Sequence, residues 1–120
     1  MATPWGISFH CDLDDCLLSM ITDANKLKFW MKGLVADIQM TAFGECQSIY
    51  FGEAPDKCGW TIHQYLTTSN ITCHFCDSGK AFIDIFTCKS DIPNLKERIE
   101  QNLFHNFKPT KIKIDVLKRY

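Results

Sequence analysis

The sequence predicts an α+β protein, a two-layer α/β sandwich whose mainly antiparallel sheet carries two helices on one face. Three observations predict it. Several segments alternate apolar and polar residues, the period of half-buried strands. Other segments repeat apolar residues at the three-and-four spacing of a helix face. The order along the chain is strand, helix, several strands, helix, strand, which suits helices segregated to one side of an antiparallel sheet.

Taken in order, Trp5–Cys11 alternates Ile7 and Phe9 with Ser8 and His10, giving a first strand. Asp12, Asp14 and Asp15 are N-cap candidates for a helical turn or two through Leu17, Leu18 and Ile21, and Asp23 caps again. Leu27, Trp30, Met31 and Leu34 then form the stripe of an amphipathic helix, with Gly33 near its end. Ile38, Met40 and Ala42 alternate as a strand that Ile49–Phe51 continues or pairs with. After the turn-like run Glu53–Gly59 come two alternating strands, Trp60–Leu66, interrupted by Gln64, and Ile71–Cys76. Asp77, Ser78 and Gly79 have hairpin-turn chemistry ahead of the apolar strand Ala81–Cys88. Asp91 and Pro93 open the last helix as cap and early helical proline, with Leu95, Ile99 and Leu103 as its buried stripe. Pro109 ends it, and Ile112, Ile114 and Val116 alternate with polar residues in a final strand.

The 120 residues suit a single domain, 1–120, without repeats or linkers. Thirteen Lys and Arg against fourteen Asp and Glu leave a net charge of −1, which gives no hold on nucleic acid or an anionic membrane. The start, Met1–His10, lacks the basic and apolar regions of a signal peptide, and no apolar run approaches a membrane span, so a cytoplasmic protein is expected. Seven cysteines in such a compartment read as reduced thiols rather than a disulfide framework. Cys73 and Cys76 bracket His74 and, with Cys58 and His63, raise the question of zinc. On one strand, however, the two sulfurs point to opposite faces, and no metal is expected. With both helices on one face, Tyr65, Phe82 and Phe86 are left on the other, which predicts a homodimer as an αββα sandwich.

The polar side of the central strands carries Thr61, His63 and Tyr65, then Thr72, His74 and Cys76, at positions of like parity. Buried in an interface, such groups must bond one another or a ligand. Between the strands runs Thr67, Thr68, Ser69, Asn70. Ser69 and His74, five residues apart, lie on opposite faces of a regular strand and meet only if the chain turns at this run.

Thr67–Phe75, TTSNITCHF, followed by Ala81–Cys88, AFIDIFTC, resembles the processing site and downstream cysteine motif of bacterial-type S-adenosylmethionine decarboxylase proenzymes. The resemblance implies that Ser69 attacks the carbonyl of Thr68, converts the peptide bond to an ester and loses it by β-elimination. That would leave chains 1–68 and 69–120, with a self-generated pyruvoyl cofactor at Ser69. Such chemistry needs a strained turn, a donor to the attacked carbonyl and a base near the Ser69 Cα. By the same resemblance Thr61 supplies the upstream hydroxyl, His74 is the processing base and Cys88 is the acid that reprotonates the substrate carbanion. Phe51 matches an aromatic that stacks on adenine, and Asp77 replaces an acidic substrate contact. The implied ketone takes up the amine of S-adenosylmethionine as a Schiff base and accepts the electrons released with carbon dioxide, yielding the aminopropyl donor of spermidine synthesis.

The chain departs from the family pattern in two places. Thr68 stands where the family has Glu, and Phe75, Cys76 and Asp77 stand where it has Trp-Pro-Glu. Two alternatives therefore stay open: a pyruvoyl-dependent arginine or ornithine decarboxylase on the same fold, and an unprocessed binding or regulatory homologue.

Overall fold

The computed structural model describes residues 3–120. Its strands are β1 (Gly6–Asp14), β2 (Ala42–Phe51), β3 (Gly59–Leu66), β4 (Ser69–Cys76), β5 (Ala81–Thr87) and β6 (Lys111–Arg119). They form one six-stranded sheet in the order β2-β3-β4-β5-β1-β6, with every neighbouring pair antiparallel. Among the described residues there are three helices, α1 (Leu18–Ile21), α2 (Ala24–Asp37) and α3 (Leu95–Phe107). The result is the expected α+β sandwich.

Alternate residues of the sheet face the helices. Phe9, Cys11 and Leu13 of β1, Ile71, Cys73 and Phe75 of β4, and Ile83 and Ile85 of β5 are buried with Leu27, Met31 and Leu34 of α2 and Ile99, Leu103 and Phe107 of α3. Trp30 sits between the layers, edge-on to Phe75 at 5.6 Å and Phe107 at 4.8 Å. Its indole N–H donates to the Asn102 side-chain oxygen at 2.8 Å, and the Asn102 amide donates to Asp37 at 2.7 Å. One short polar chain thus ties α2 to α3, running from the buried Trp30 and Asn102 out to the exposed Asp37. Asp23 caps α2 as expected, accepting from the N–H groups of Asn25 and Lys26.

Several boundaries differ from expectation. Asp12 and Asp14 lie within β1, which pairs with β5 and β6 on its two sides and so runs past the expected cap. The second helix runs through Gly33 to Asp37, with Ile38 as its fully buried C-cap. Leu27, Met31, Leu34 and Ile38 continue one helical stripe, so burial on that face overrides the alternation that pointed to a strand. The last helix starts at Leu95, with Asn94 rather than Asp91 at its N-cap and Pro93 outside it. Gln64, the polar break in β3, is buried because β2 carries an irregularity between Phe43 and Gln47. The Gln64 amide N–H groups are shared among the carbonyls of Phe43 and Gly44, where the β2 register shifts, and of Tyr65 beside it.

Among the described residues no helix lies on the other face of the sheet. The polar pairs expected there form: Thr61 bonds His74 and His63 bonds Thr72, each at 2.9 Å across β3 and β4. Phe43, Ile49, Phe51, Tyr65, Phe82 and Leu117 stand exposed on the same face. Phe86 is partly covered, by the Trp5 ring stacked at 5.9 Å and by Arg119.

Replacing Asn102 by Ala strips the buried Trp30 N–H of its acceptor and is expected to cost about 1–3 kcal/mol of stability. Equilibrium urea unfolding measures it, and a loss below about 0.5 kcal/mol would mean that the indole finds another partner.

Candidate active site

Leu66 pairs with Ser69, so Thr67 and Thr68 alone make the turn between β3 and β4. Thr68 has φ +59°, at a turn position where Gly or Asn is the usual occupant. A β-branched side chain in that region is strained, typically by about 1–3 kcal/mol. Its hydroxyl lies 2.6 Å from the Thr67 carbonyl oxygen and 2.8 Å from the Cys88 sulfur. Cys88 arrives here because β5 runs antiparallel beside β4, with Asn70 opposite Phe86. Ser69 is buried on the helix side of β4; its Oγ accepts the Cys88 N–H at 3.1 Å and lies 3.8 Å from the thiol. Thr68, Ser69 and Cys88 are therefore one cluster at one end of the sheet.

The bond to Thr68 holds the Cys88 thiol below the ordinary cysteine value, against a smaller opposing effect of burial; the Ser69 hydroxyl, the Cys88 N–H and Lys89 add to the lowering. Burial drives other thiols the opposite way, up to about 12 for Cys11 and about 11 for Cys16, and it raises Cys46, Cys73 and Cys76 as well. Of these thiols Cys88 is the one held down, the direction that favours a reactive thiolate.

At the other end of the sheet, His74 has both ring nitrogens engaged. Nε2 faces the carbonyl oxygen of Lys57 at 2.8 Å, an acceptor only, so Nε2 carries the proton. Nδ1 then accepts from the Thr61 hydroxyl. Phe51 ends β2 next to this pair and is 53% exposed, lining a hollow of about 290 Å³ with Glu53, Ala54 and Lys57. Asp77 lies in the β4–β5 turn at the same end, where its carboxylate accepts the Tyr50 hydroxyl proton and its N–H donates to the Cys58 carbonyl.

The family model for S-adenosylmethionine decarboxylase matches residues 8–120, and with them both groups of residues. The chain belongs to the S-adenosylmethionine decarboxylase family. Among solved structures it is similar to an adenosylmethionine decarboxylase from Aquifex aeolicus VF5, with a TM-score of 0.81 and 21% identity over 98% of this chain and 92% of that one. No curated protein sequence matches the chain.

For this decarboxylase-family chain the expected residues divide in two. Thr68, Ser69 and Cys88 come together; Thr61, His74, Phe51 and Asp77 gather at the far end. The turn is complete before Ser69, so β4 is a regular strand from Ser69 to Cys76 and His74 points away from the helix side that Ser69 faces. At the usual rise per residue the two stand about 16 Å apart along the strand. Within one protomer His74 does not reach Ser69, and the turn that was expected to join them stops one residue short. Sequence reasoning also missed Lys57, whose backbone carbonyl fixes the His74 ring; a backbone acceptor leaves no mark in residue type. A groove of about 510 Å³ between α3 and β6, lined by Phe104, His105, Pro109 and Ile112 among others, touches none of these residues.

Long-range ¹H–¹⁵N spectra of the imidazoles are expected to show His74 protonated at Nε2 and bare at Nδ1. The opposite tautomer would show that the Lys57 carbonyl is not its partner.

Proposed function

We propose that the chain is a self-processing, pyruvoyl-dependent decarboxylase of S-adenosylmethionine, acting as a homodimer and supplying the aminopropyl donor for polyamine synthesis. The observation that carries this reading is the cluster of Ser69, the strained Thr68 and the lowered Cys88 thiol within the stretch that matches the family.

Ser69 suits the origin of a pyruvoyl group. It is the first residue after a strained peptide, and its oxygen is held by the Cys88 N–H. Attack of Ser69 Oγ on the Thr68 carbonyl moves the acyl group from nitrogen to oxygen. Removal of the Ser69 Cα proton then expels Thr68 as a carboxylate, and water replaces the nitrogen, which leaves as ammonia. The ketone so formed supplies the electron sink for loss of carbon dioxide. Cys88, beside it, donates the proton that the substrate carbon then needs, a role suited to a thiol held below the ordinary cysteine value. Phe51 and its hollow offer an apolar face to the adenine, and Asp77 lies at the same end.

The base is the difficulty, since His74 lies at the wrong end of its own strand. Two copies packed open face to open face about a two-fold axis remove it. Antiparallel packing of that kind sets the Ser69 and Cys88 end of one protomer over the end of its partner that carries Thr61, His74 and Phe51. The exposed Phe43, Ile49, Tyr65, Phe82 and Leu117 on this face favour such a cover. Each of the two sites then draws Ser69 and Cys88 from one chain and His74 from the other; His74 serves as the base at the Ser69 Cα, reached from the open face while the Ser69 oxygen stays on the helix side, once the Thr61 hydroxyl releases Nδ1.

Intact-mass analysis is expected to show wild type split between Thr68 and Ser69 and Ser69→Ala whole; a wild type that stays whole after long incubation removes the reading. Carbon dioxide release should follow S-adenosylmethionine rather than arginine or ornithine, and Cys88→Ala should cut itself yet release it about 100-fold more slowly. Ser69→Ala and His74→Ala chains, each inert alone, should on co-expression yield cut His74→Ala chain. A co-expressed pair that stays whole beside a self-cutting wild type rules out sharing of the site between protomers.

A further inference from the structure

Thr68 stands in the place of a glutamate and is a poor choice for its backbone. A turn position with φ +59° calls for Gly or Asn, and Thr introduces strain without any apolar burial, since the side chain lies exposed. What the residue adds is a hydroxyl between two atoms, the Thr67 carbonyl oxygen at 2.6 Å and the Cys88 sulfur at 2.8 Å. The carbonyl can only accept. The sulfur accepts as a thiolate and donates as a thiol. One hydroxyl proton therefore has two resting places. When Cys88 is protonated, its S–H donates to the Thr68 oxygen and the Thr68 proton lies on the Thr67 carbonyl. When Cys88 has lost its proton, the Thr68 hydroxyl turns and donates to the thiolate.

We propose that Thr68 is a positioning residue for Cys88, its hydroxyl turning to hold the charge left on the sulfur each time the thiol gives up its proton. The proposal rests on reading Cys88 as the proton donor, and it gives the departure from glutamate a function. In the uncut chain a glutamate side chain at this distance would oppose a thiolate, whereas a neutral hydroxyl serves both states of the sulfur. The Ser69 hydroxyl does not substitute for it. It is 3.8 Å from the sulfur, and that oxygen is consumed when Ser69 is processed. The lowered value of the Cys88 thiol agrees with this geometry, with the Thr68 bond as its first cause.

The test reads the thiol itself. Tryptic cleavage after Lys80 and Lys89 gives the peptide AFIDIFTCK, in which Cys88 is the sole cysteine, whether or not the chain has cut itself. The rate of iodoacetamide alkylation of folded protein is followed on that peptide by mass spectrometry across pH, for wild type and for Thr68→Ser, Thr68→Val and Thr68→Gly. Thr68→Ser should keep the wild-type midpoint. Thr68→Val and Thr68→Gly should both move it upward, by about one pH unit, so that alkylation near neutrality slows about tenfold. Gly fits the turn without strain and keeps the fold if Val disturbs it. A Thr68→Gly midpoint equal to wild type overturns the proposal, as does a Thr68→Ser midpoint displaced as far as that of Gly. All four side chains at 68 are compared in a Ser69→Ala background, which stays whole, so that the Thr68 carboxylate that cleavage would create does not enter the comparison and an inactive chain still decides the role of Thr68.

Discussion

Strand β4 is hydrogen-bonded on both sides, to β3 from its first residue and to β5 from its second, and this double pairing governs the rest of the molecule. A strand held on both edges cannot twist a side chain to the opposite face or shorten the distance between its ends. Ile71, Cys73 and Phe75 must therefore enter the core against Trp30 and the helices, and Thr72 and His74 must leave it. The same pairing puts Ser69 beside the end of β5, where Cys88 follows, and puts His74 beside Thr61. The places of these side chains are set by backbone hydrogen bonds.

Where one pattern acted alone the fold was legible. The stripe from Leu27 to Leu34 announces α2, and Ile112, Ile114 and Val116 announce β6, because nothing else competes for those residues. Competition explains the misses. Ile38 satisfies both a strand alternation and the helical stripe behind it, and the helix wins because that face already lies in the core. Asp91 and Pro93 carry helix-start chemistry, yet the helix begins only after Asn94, which adopts a left-handed conformation that residue type alone does not force. Gln64 looked like a defect in a strand. It is the partner of carbonyls where the neighbouring strand shifts register, and a neighbour of that kind is not visible from within β3.

Spacing and resemblance pointed to Ser69, His74, Cys88 and Thr61, and in the structure each of them has a hydrogen-bonded partner. The length of the turn was not legible, because Thr67, Thr68, Ser69 and Asn70 all accept turn conformations. Only the strand register shows that the turn takes two of them, and that choice separates Ser69 from His74. The Thr68 to Cys88 contact was hidden for another reason: residues 20 apart in sequence meet only because the hairpin folds one strand back beside the other.

The order of the strands has a consequence for a chain interrupted at that turn. The part before it contributes β1, β2 and β3, and the part after it β4, β5 and β6; yet β1 lies between β5 and β6. The two fragments would be interleaved rather than merely touching, each enclosing a piece of the other. They could separate only by drawing a central strand out of the sheet and opening the core on which α2 and α3 rest. Such a protein can lose its covalent continuity and still unfold as one cooperative body.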